Sequence, residues 1–145
     1  MKRTVFVTTI FLALCGCGTE VITPQSLKDI RVKKVYIENV QCPDPAAAVI
    51  FRECMAKEFA RNHITVYDGL TKNLAQVVIT SKISIVPKIQ DNNETVISIE
   101  TATVKATTPA GEDLFKITWN NPGSTIQKIA ADTARTLSRK LRHIE

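Results

Sequence analysis

The stretch "NLAQVVITSKISIVPK", residues 73–88, is the strongest β-strand signal in the chain, and the rest of the fold can be built outward from it. Valine, isoleucine and threonine dominate this stretch, and these β-branched residues favour the pleated backbone of a strand. We expect Pro87 to close the strand, because proline donates no hydrogen bond to a ladder. A polar loop follows at residues 91–94, and residues 95–108, "TVISIETATVKATT", then return as the antiparallel partner.

Upstream of this hairpin, the sequence predicts a strand, a helix and a second strand. Residues 31–40 alternate between apolar and polar side chains, and residues 64–68 form a shorter run of the same kind. Between them, Asp44 and Pro45 are typical of the N-cap and first turn of a helix that ends near Asn62. The apolar stripe predicted for this helix comprises Ala47, Phe51, Cys54, Met55 and Phe59.

Downstream, the sequence predicts one more strand and a long amphipathic helix. A turn at residues 109–113 precedes the strand "LFKITW", residues 114–119, and Ser124 is the expected N-cap of the helix. The residues predicted to face inward are Ile126, Ile129, Ala130, Thr133, Leu137, Leu141 and Ile144. The order β-α-β-β-β-β-α predicts an α/β (α+β) fold, in which two helices cover one face of a mostly antiparallel sheet of four or five strands.

The first 17 residues differ in character from the rest of the chain. Lys2 and Arg3 precede an apolar run at residues 5–14, which is too short to span a bilayer because a spanning helix needs ~20 residues. The sequence that follows, Leu14-Cys15-Gly16-Cys17, resembles the lipobox of bacterial lipoprotein signal peptides. This resemblance implies that Cys17 becomes the lipidated first residue, although a cysteine in the second place is unusual, and processing at Cys15 stays open.

We therefore divide the chain into a signal peptide at residues 1–16, a lipidated tether at 17–30 and a single periplasmic domain at 31–145. The tether extends to no more than ~45 Å, so the domain must stay close to its membrane. Gly18 stands where lipoproteins of the inner membrane often carry aspartate, which favours the periplasmic face of the outer membrane. Acylation would make the anchor stable, since two or more acyl chains hold a protein stably at a bilayer.

Charge and composition argue against a nucleic-acid partner. The chain has 19 basic and 14 acidic side chains, and removal of Lys2 and Arg3 with the signal peptide leaves 17 against 14. A net charge of +3 is too small to indicate nucleic-acid binding.

No arrangement of residues indicates catalysis. His63 and His143 both fall at predicted helix ends, away from any residue that would form a nucleophile and base pair with them. We expect a non-enzymatic protein with no metal and no cofactor other than its covalent lipid. Cys42 and Cys54 are expected to be too far apart for a disulfide, because Cys54 would lie ~15 Å along the helix. A disulfide between them, or a thiol-redox enzyme built on them, stays as the alternative.

Two features are candidates for membrane or partner contact. Trp119 is the only tryptophan, and its ring either plugs the core at the sheet edge or lies at an interface with its N–H in contact with water. Four basic residues crowd the end of the last helix: Arg135, Arg139, Lys140 and Arg142. Cations are favourable at a helix C-terminus, so this cluster needs no ligand, but it would also suit lipid headgroups or a partner.

The order of elements and the strand "LAQVVITSKIS" resemble the TolB N-terminal-like domains of small periplasmic lipoproteins. Among these, the chain is most similar to the PelC family of exopolysaccharide-export lipoproteins, in its size, short tether and a tryptophan before the last helix. The resemblance implies a homo-oligomeric ring on the inner leaflet of the outer membrane, around an export barrel. It also implies that Trp119 meets lipid and that an acidic lumen draws in a polysaccharide. The lumen candidates are Asp91, Glu94, Glu112 and Asp113.

Two other families of envelope lipoproteins are the alternatives. LptE-like proteins assist lipopolysaccharide assembly and share the order of elements, but the segment "CGTEVITPQ" lacks their Gly-Tyr-x-Leu-Arg-Gly-like motif. LpoB-like activators of cell-wall synthases need a long arm to reach the peptidoglycan, and the short tether disfavours them. The resemblance to the PelC family therefore implies a structural subunit of an envelope export machine, with Pel-type polysaccharide as the expected cargo.

Overall fold

A computed structural model describes residues 31–142, and the order of elements in it is the predicted one. The elements are β1 (Lys34–Ile37), α1 (Pro45–Arg61), β2 (Thr65–Tyr67), a 3-10 turn (Lys72–Leu74), β3 (Val77–Ile89), β4 (Thr95–Thr107), β5 (Asp113–Asn120) and α2 (Ile126–Arg142). The predicted signal peptide, Cys17 and tether lie outside the described residues, as do His143 and Ile144.

The five strands form one mixed sheet in the order β2-β1-β3-β4-β5. β1 runs parallel to β2 and β3, whereas β3, β4 and β5 are antiparallel neighbours. The parallel pair β1 and β2 is joined through α1, since parallel strands need a crossover. The β3–β4 ladder is the longest, so most of the sheet is antiparallel, and the predicted fold class is confirmed.

The core lies between one face of the sheet and the two helices. Alternate residues of β3 and β4 point toward the helices, as the period of a strand requires. Alanines on β4 leave room for helix side chains. The main contributors to the core are Val77, Ile79, Ile83, Ala102, Val104 and Ala106 from the sheet, with Phe51, Met55, Phe59, Ile129, Leu137 and Leu141 from the helices.

β3 departs from its prediction at both ends. It begins at Val77, because the polar residues before it form the 3-10 turn. Pro87 does not close the strand. It pairs with Ile97 and the strand continues to Ile89. Proline is tolerated where one strand edge has no partner, and β1 stops at Ile37, well before Pro87 is reached.

The helix caps are confirmed for α1 and corrected for α2. The Asp44 side chain accepts a hydrogen bond from the backbone N–H of Ala46 at 2.9 Å, as an N-cap should. At α2 the cap is Thr125 rather than Ser124, since the Thr125 hydroxyl accepts from the N–H of Lys128 at 3.3 Å. The bridge between Ser98 and Thr125 fixes that residue beside the sheet.

The predicted helix stripes are confirmed with two exceptions. On α1, Cys54 is only half-buried, and Glu58 is buried in addition to the apolar residues. On α2, the six described residues of the predicted face are all buried, and Ala134 and Ser138 are buried with them.

Candidate functional site

The basic cluster at the end of α2 is partly occupied by contacts within the molecule. Arg135 Nε lies 3.1 Å from the Glu58 carboxylate, and its Nη1 lies 3.2 Å from Asp132. Arg61 approaches the other oxygen of Glu58 at 3.4 Å. The Glu58 side chain is only 7 % exposed, so its ion pair with Arg135 is a largely buried contact that joins α1 to α2.

Of the other three cations of the cluster, two contact side chains of the same molecule and one is exposed to solvent. Arg142 Nη2 donates to both oxygens of Asn62 at 3.2 Å, while its buried Nε has no partner. Lys140 places its ammonium 5.4 Å from the centre of the Phe115 ring. Arg139 is exposed and makes no ion pair within residues 31–142. A membrane or partner contact by these four residues stays a prediction.

The C-terminal ends of both helices and the segment before β1 lie at one end of the sheet. Arg142 contacts Asn62, the C-cap of α1, and the N–H of Thr65 soon after it donates to the Lys33 carbonyl at 2.7 Å. The Gln76 side chain accepts from the Lys33 N–H at 2.8 Å and fixes this segment against β3. We call this region the basic end, and define it by the cations Lys33, Arg61 and Arg142.

Trp119 is part of the packing between β5 and α2. Its indole Nε1–H donates to the Thr133 hydroxyl at 2.9 Å, and that hydroxyl donates in turn to the Ile129 carbonyl at 2.7 Å. Thr133 is fully buried, and the Trp119 ring is half-buried against the core. Of the two interpretations of Trp119, the one in which the N–H contacts water is therefore wrong. Contact of the exposed part of the ring with a membrane or a partner stays a prediction.

The four acids predicted as lumen candidates do not lie together. Asp91 and Glu94 are on the β3–β4 loop, whereas Glu112 and Asp113 are at the β4–β5 turn. The 13 residues of β4 separate the two loops, and a strand of that length spans ~40 Å. Lys105 also lies 3.6 Å from Asp113. A single narrow constriction could be lined by one of these pairs, but not by all four acids.

The two described cysteines and His63 lie apart from any metal-binding group within residues 31–142. Cys42 and Cys54 are both free and half-buried. His63 is exposed, and its φ of 60° puts it in the left-handed conformation that follows many helix ends. Within residues 31–142, no group of three or more His, Cys, Asp or Glu side chains is placed to hold a metal ion. In the same range, no helix has the length and apolar character needed to cross a membrane.

Sequence reasoning missed the partners that hold the predicted residues. Glu58 falls on the apolar stripe of α1, three residues after Met55, and an acid at such a position is the signal that could have found it. Thr133 was predicted to face inward, but nothing in the sequence connects it to Trp119. Both contacts link residues that are distant in the chain.

Comparison with known proteins gives structural matches but no sequence match. No family model and no curated protein matches the chain. Among solved structures, the PelC dodecamer from Paraburkholderia phytofirmans superposes with a TM-score of 0.53 at 14% identity, over 77% of this chain and 89% of that one. A point variant of that PelC, also a dodecamer, gives a TM-score of 0.55 at 15% identity, over 77% and 90%. The chain therefore has a PelC-like fold, as the resemblance in sequence predicted.

Proposed function

We propose that this chain is a non-enzymatic lipoprotein of the outer membrane, anchored through Cys17, which assembles with copies of itself as a structural subunit of an envelope export machine. The observation that carries the proposal is that Lys33, in the segment that follows the tether, and Arg142, at the end of α2, lie at the same end of the sheet, since each contacts the segment Asn62–Thr65. The anchor and the exposed cations would then face the same surface.

The chemistry of the basic end suits a membrane. Cys17 is joined to Arg31 by residues that reach no more than ~45 Å, so an acylated Cys17 keeps this end near the bilayer. Each Lys or Arg close to an anionic surface contributes about 1 kcal/mol to binding. The cations would orient a domain that the acyl chains alone leave free to rotate.

Assembly is supported by the fold. The PelC that superposes on this chain is a dodecamer, and we infer that this chain also forms a closed ring. Anchoring to one plane raises the effective concentration of the subunits, so weak contacts suffice to close it. We further propose that the ring lies beside an outer-membrane barrel and serves the export of a Pel-type exopolysaccharide.

Serine substitutions at the two N-terminal cysteines test the anchor. We expect Cys17→Ser to release the protein from the membrane fraction, because the acyl chains can no longer attach. Cys15→Ser is the matched control and should stay in the membrane fraction. Mass spectrometry of the mature wild-type protein should find acyl chains on Cys17, and an unmodified amino terminus would overturn the proposal.

Deletion of the gene tests the cargo. We expect surface exopolysaccharide to fall sharply, while lipopolysaccharide at the cell surface stays unchanged. The opposite result, loss of lipopolysaccharide assembly alone, would replace the export function with an LptE-like one. Complementation with Cys17→Ser should fail to restore export, since the ring requires subunits held in one plane.

A further inference from the structure

The hairpin formed by β3 and β4 extends beyond the sheet as an arm, which we define as residues 85–99. On one side, pairing of β1 with β3 ends at Ile79, apart from a single bridge at Lys82. On the other side, pairing of β4 with β5 ends at Thr101. Within the arm the two strands pair with each other, and only its base contacts the rest of the fold. There Ser98 bridges to Thr125, the Ile99 N–H donates to the Ser124 carbonyl at 3.3 Å, and Ile85 and Ile99 pack against the core.

The arm carries two apolar side chains that the rest of residues 31–142 leaves exposed. Ile89 is 76 % exposed and Ile97 is 42 % exposed. Asp91 and Glu94 at the tip make no ion pair within residues 31–142. An isolated two-stranded ribbon is only marginally stable in water, so an exposed apolar arm of this kind gains stability by packing against a further surface. The exposed Pro87 blocks strand addition along its own part of the edge.

A groove with matching chemistry lies between the end of β1 and the start of α1. It has a volume of about 260 Å³ and is lined mainly by apolar groups, among them Val40, Cys42, Pro45 and Val49. Val49 is 55 % exposed. Arg52 lies at the groove, where its Nε donates to the Ile37 carbonyl at 3.2 Å. Its two terminal nitrogens have no hydrogen-bond partner in the described part of the chain, so the groove combines an apolar wall with one fixed, available cation.

We propose that the arm of one copy docks in the groove of the next copy. Ile89 and Ile97 would cover Val49, and an acid of the tip would pair with Arg52. The occupant is a second copy because the arm is apolar with a negative tip, the groove is apolar with a positive side chain, and both belong to this chain. The contact joins two different surfaces, so repetition closes a ring or extends a filament. This inference rests on the proposed self-assembly and names the surfaces that make it.

Charge changes at exposed positions test the contact. The probe is the full mature acylated chain in mild detergent, with its mass followed by light scattering as concentration rises. Val49→Glu places a negative charge opposite the acidic tip, and Asp91→Lys places a positive charge opposite Arg52. We expect each change to lower the association constant at least tenfold, because like charges face each other in the contact. The two changes together in one chain should recover association, since the new charges attract.

The matched control is Leu74→Glu, which adds the same charge at a side chain that is 59 % exposed on the 3-10 turn. It should associate like the wild type. Circular dichroism checks that every variant is folded, and Ile89→Lys replaces Asp91→Lys on the arm if the latter unfolds.

The outcomes separate this inference from the proposed function. If Val49→Glu and Asp91→Lys associate like the wild type, or if both weaken association but the double variant does not recover it, the docking is wrong while self-assembly stands. If the wild-type chain stays monomeric in detergent and on vesicles of outer-membrane lipid, both the docking and the self-assembly are wrong.

Discussion

Replacement of Trp119 by phenylalanine or alanine separates its hydrogen bond from its packing. The indole donates to the Thr133 hydroxyl at 2.9 Å, and loss of a hydrogen bond of this kind costs about 1 kcal/mol. Thr133 keeps its own bond to Ile129, so only its accepting role is lost in Trp119→Phe. Trp119→Ala also removes the ring from the core. Since a fully buried aromatic costs about 3–5 kcal/mol and this ring is half-buried, we expect about 2–3 kcal/mol.

The measurement is guanidinium unfolding followed by far-UV circular dichroism, because removal of the only tryptophan also removes the fluorescence probe. A double-mutant cycle with Thr133→Val should give a coupling of about 1 kcal/mol between the two side chains. Thr133→Ser is the control, as it keeps the hydroxyl and should keep most of that coupling.

One result would contradict this account of Trp119. If Trp119→Ala unfolds at the wild-type midpoint, the ring contributes no packing, and the interface interpretation would replace the structural one. If Trp119→Phe is stable but impairs export, the exposed part of the ring has a separate role at a membrane or partner.

Three further changes test contacts elsewhere. Glu58→Gln should lower the free energy of unfolding by about 1–3 kcal/mol, because it removes the buried charge that pairs with Arg135. Loss of Arg61, which is 76 % exposed, should lower it by less than about 0.5 kcal/mol. Equal losses for the two variants in urea unfolding would contradict the role of Glu58 in joining α1 to α2. Hydrogen bonds from the Thr71 hydroxyl, the larger cause, and from the Thr71 N–H hold the pKa of Asp68 below its usual value. These bonds therefore stabilise the turn above about pH 4, and the stabilisation is lost as the pH falls through the lowered pKa. Amide hydrogen exchange at Thr71 would measure that loss. Asp44→Ala should cost about 1 kcal/mol in thermal unfolding through loss of the α1 cap, and an unchanged melting temperature would contradict that.

The sequence by itself determined the elements and their order. The β-branched run at residues 73–88 predicted β3, the return at 95–108 predicted β4, and the polar residues between them predicted the loop. Asp44 and Pro45 predicted the start of α1 to the residue. These signals depend on residues within a few positions of each other in the chain. Over that distance, the conformational preference of each residue and the spacing of apolar side chains indicate a helix or a strand.

Only the tertiary structure decided which side chains meet. Arg135 and Glu58 are 77 positions apart, and no local pattern pairs them. The same holds for the contact of Trp119 with Thr133, and for the hydrogen bond between the Thr65 N–H and the Lys33 carbonyl. The cap of α2 shifted from Ser124 to Thr125 because a bridge to β4 fixes that residue. Such contacts follow from how the sheet and helices pack, and that packing depends on the whole core at once.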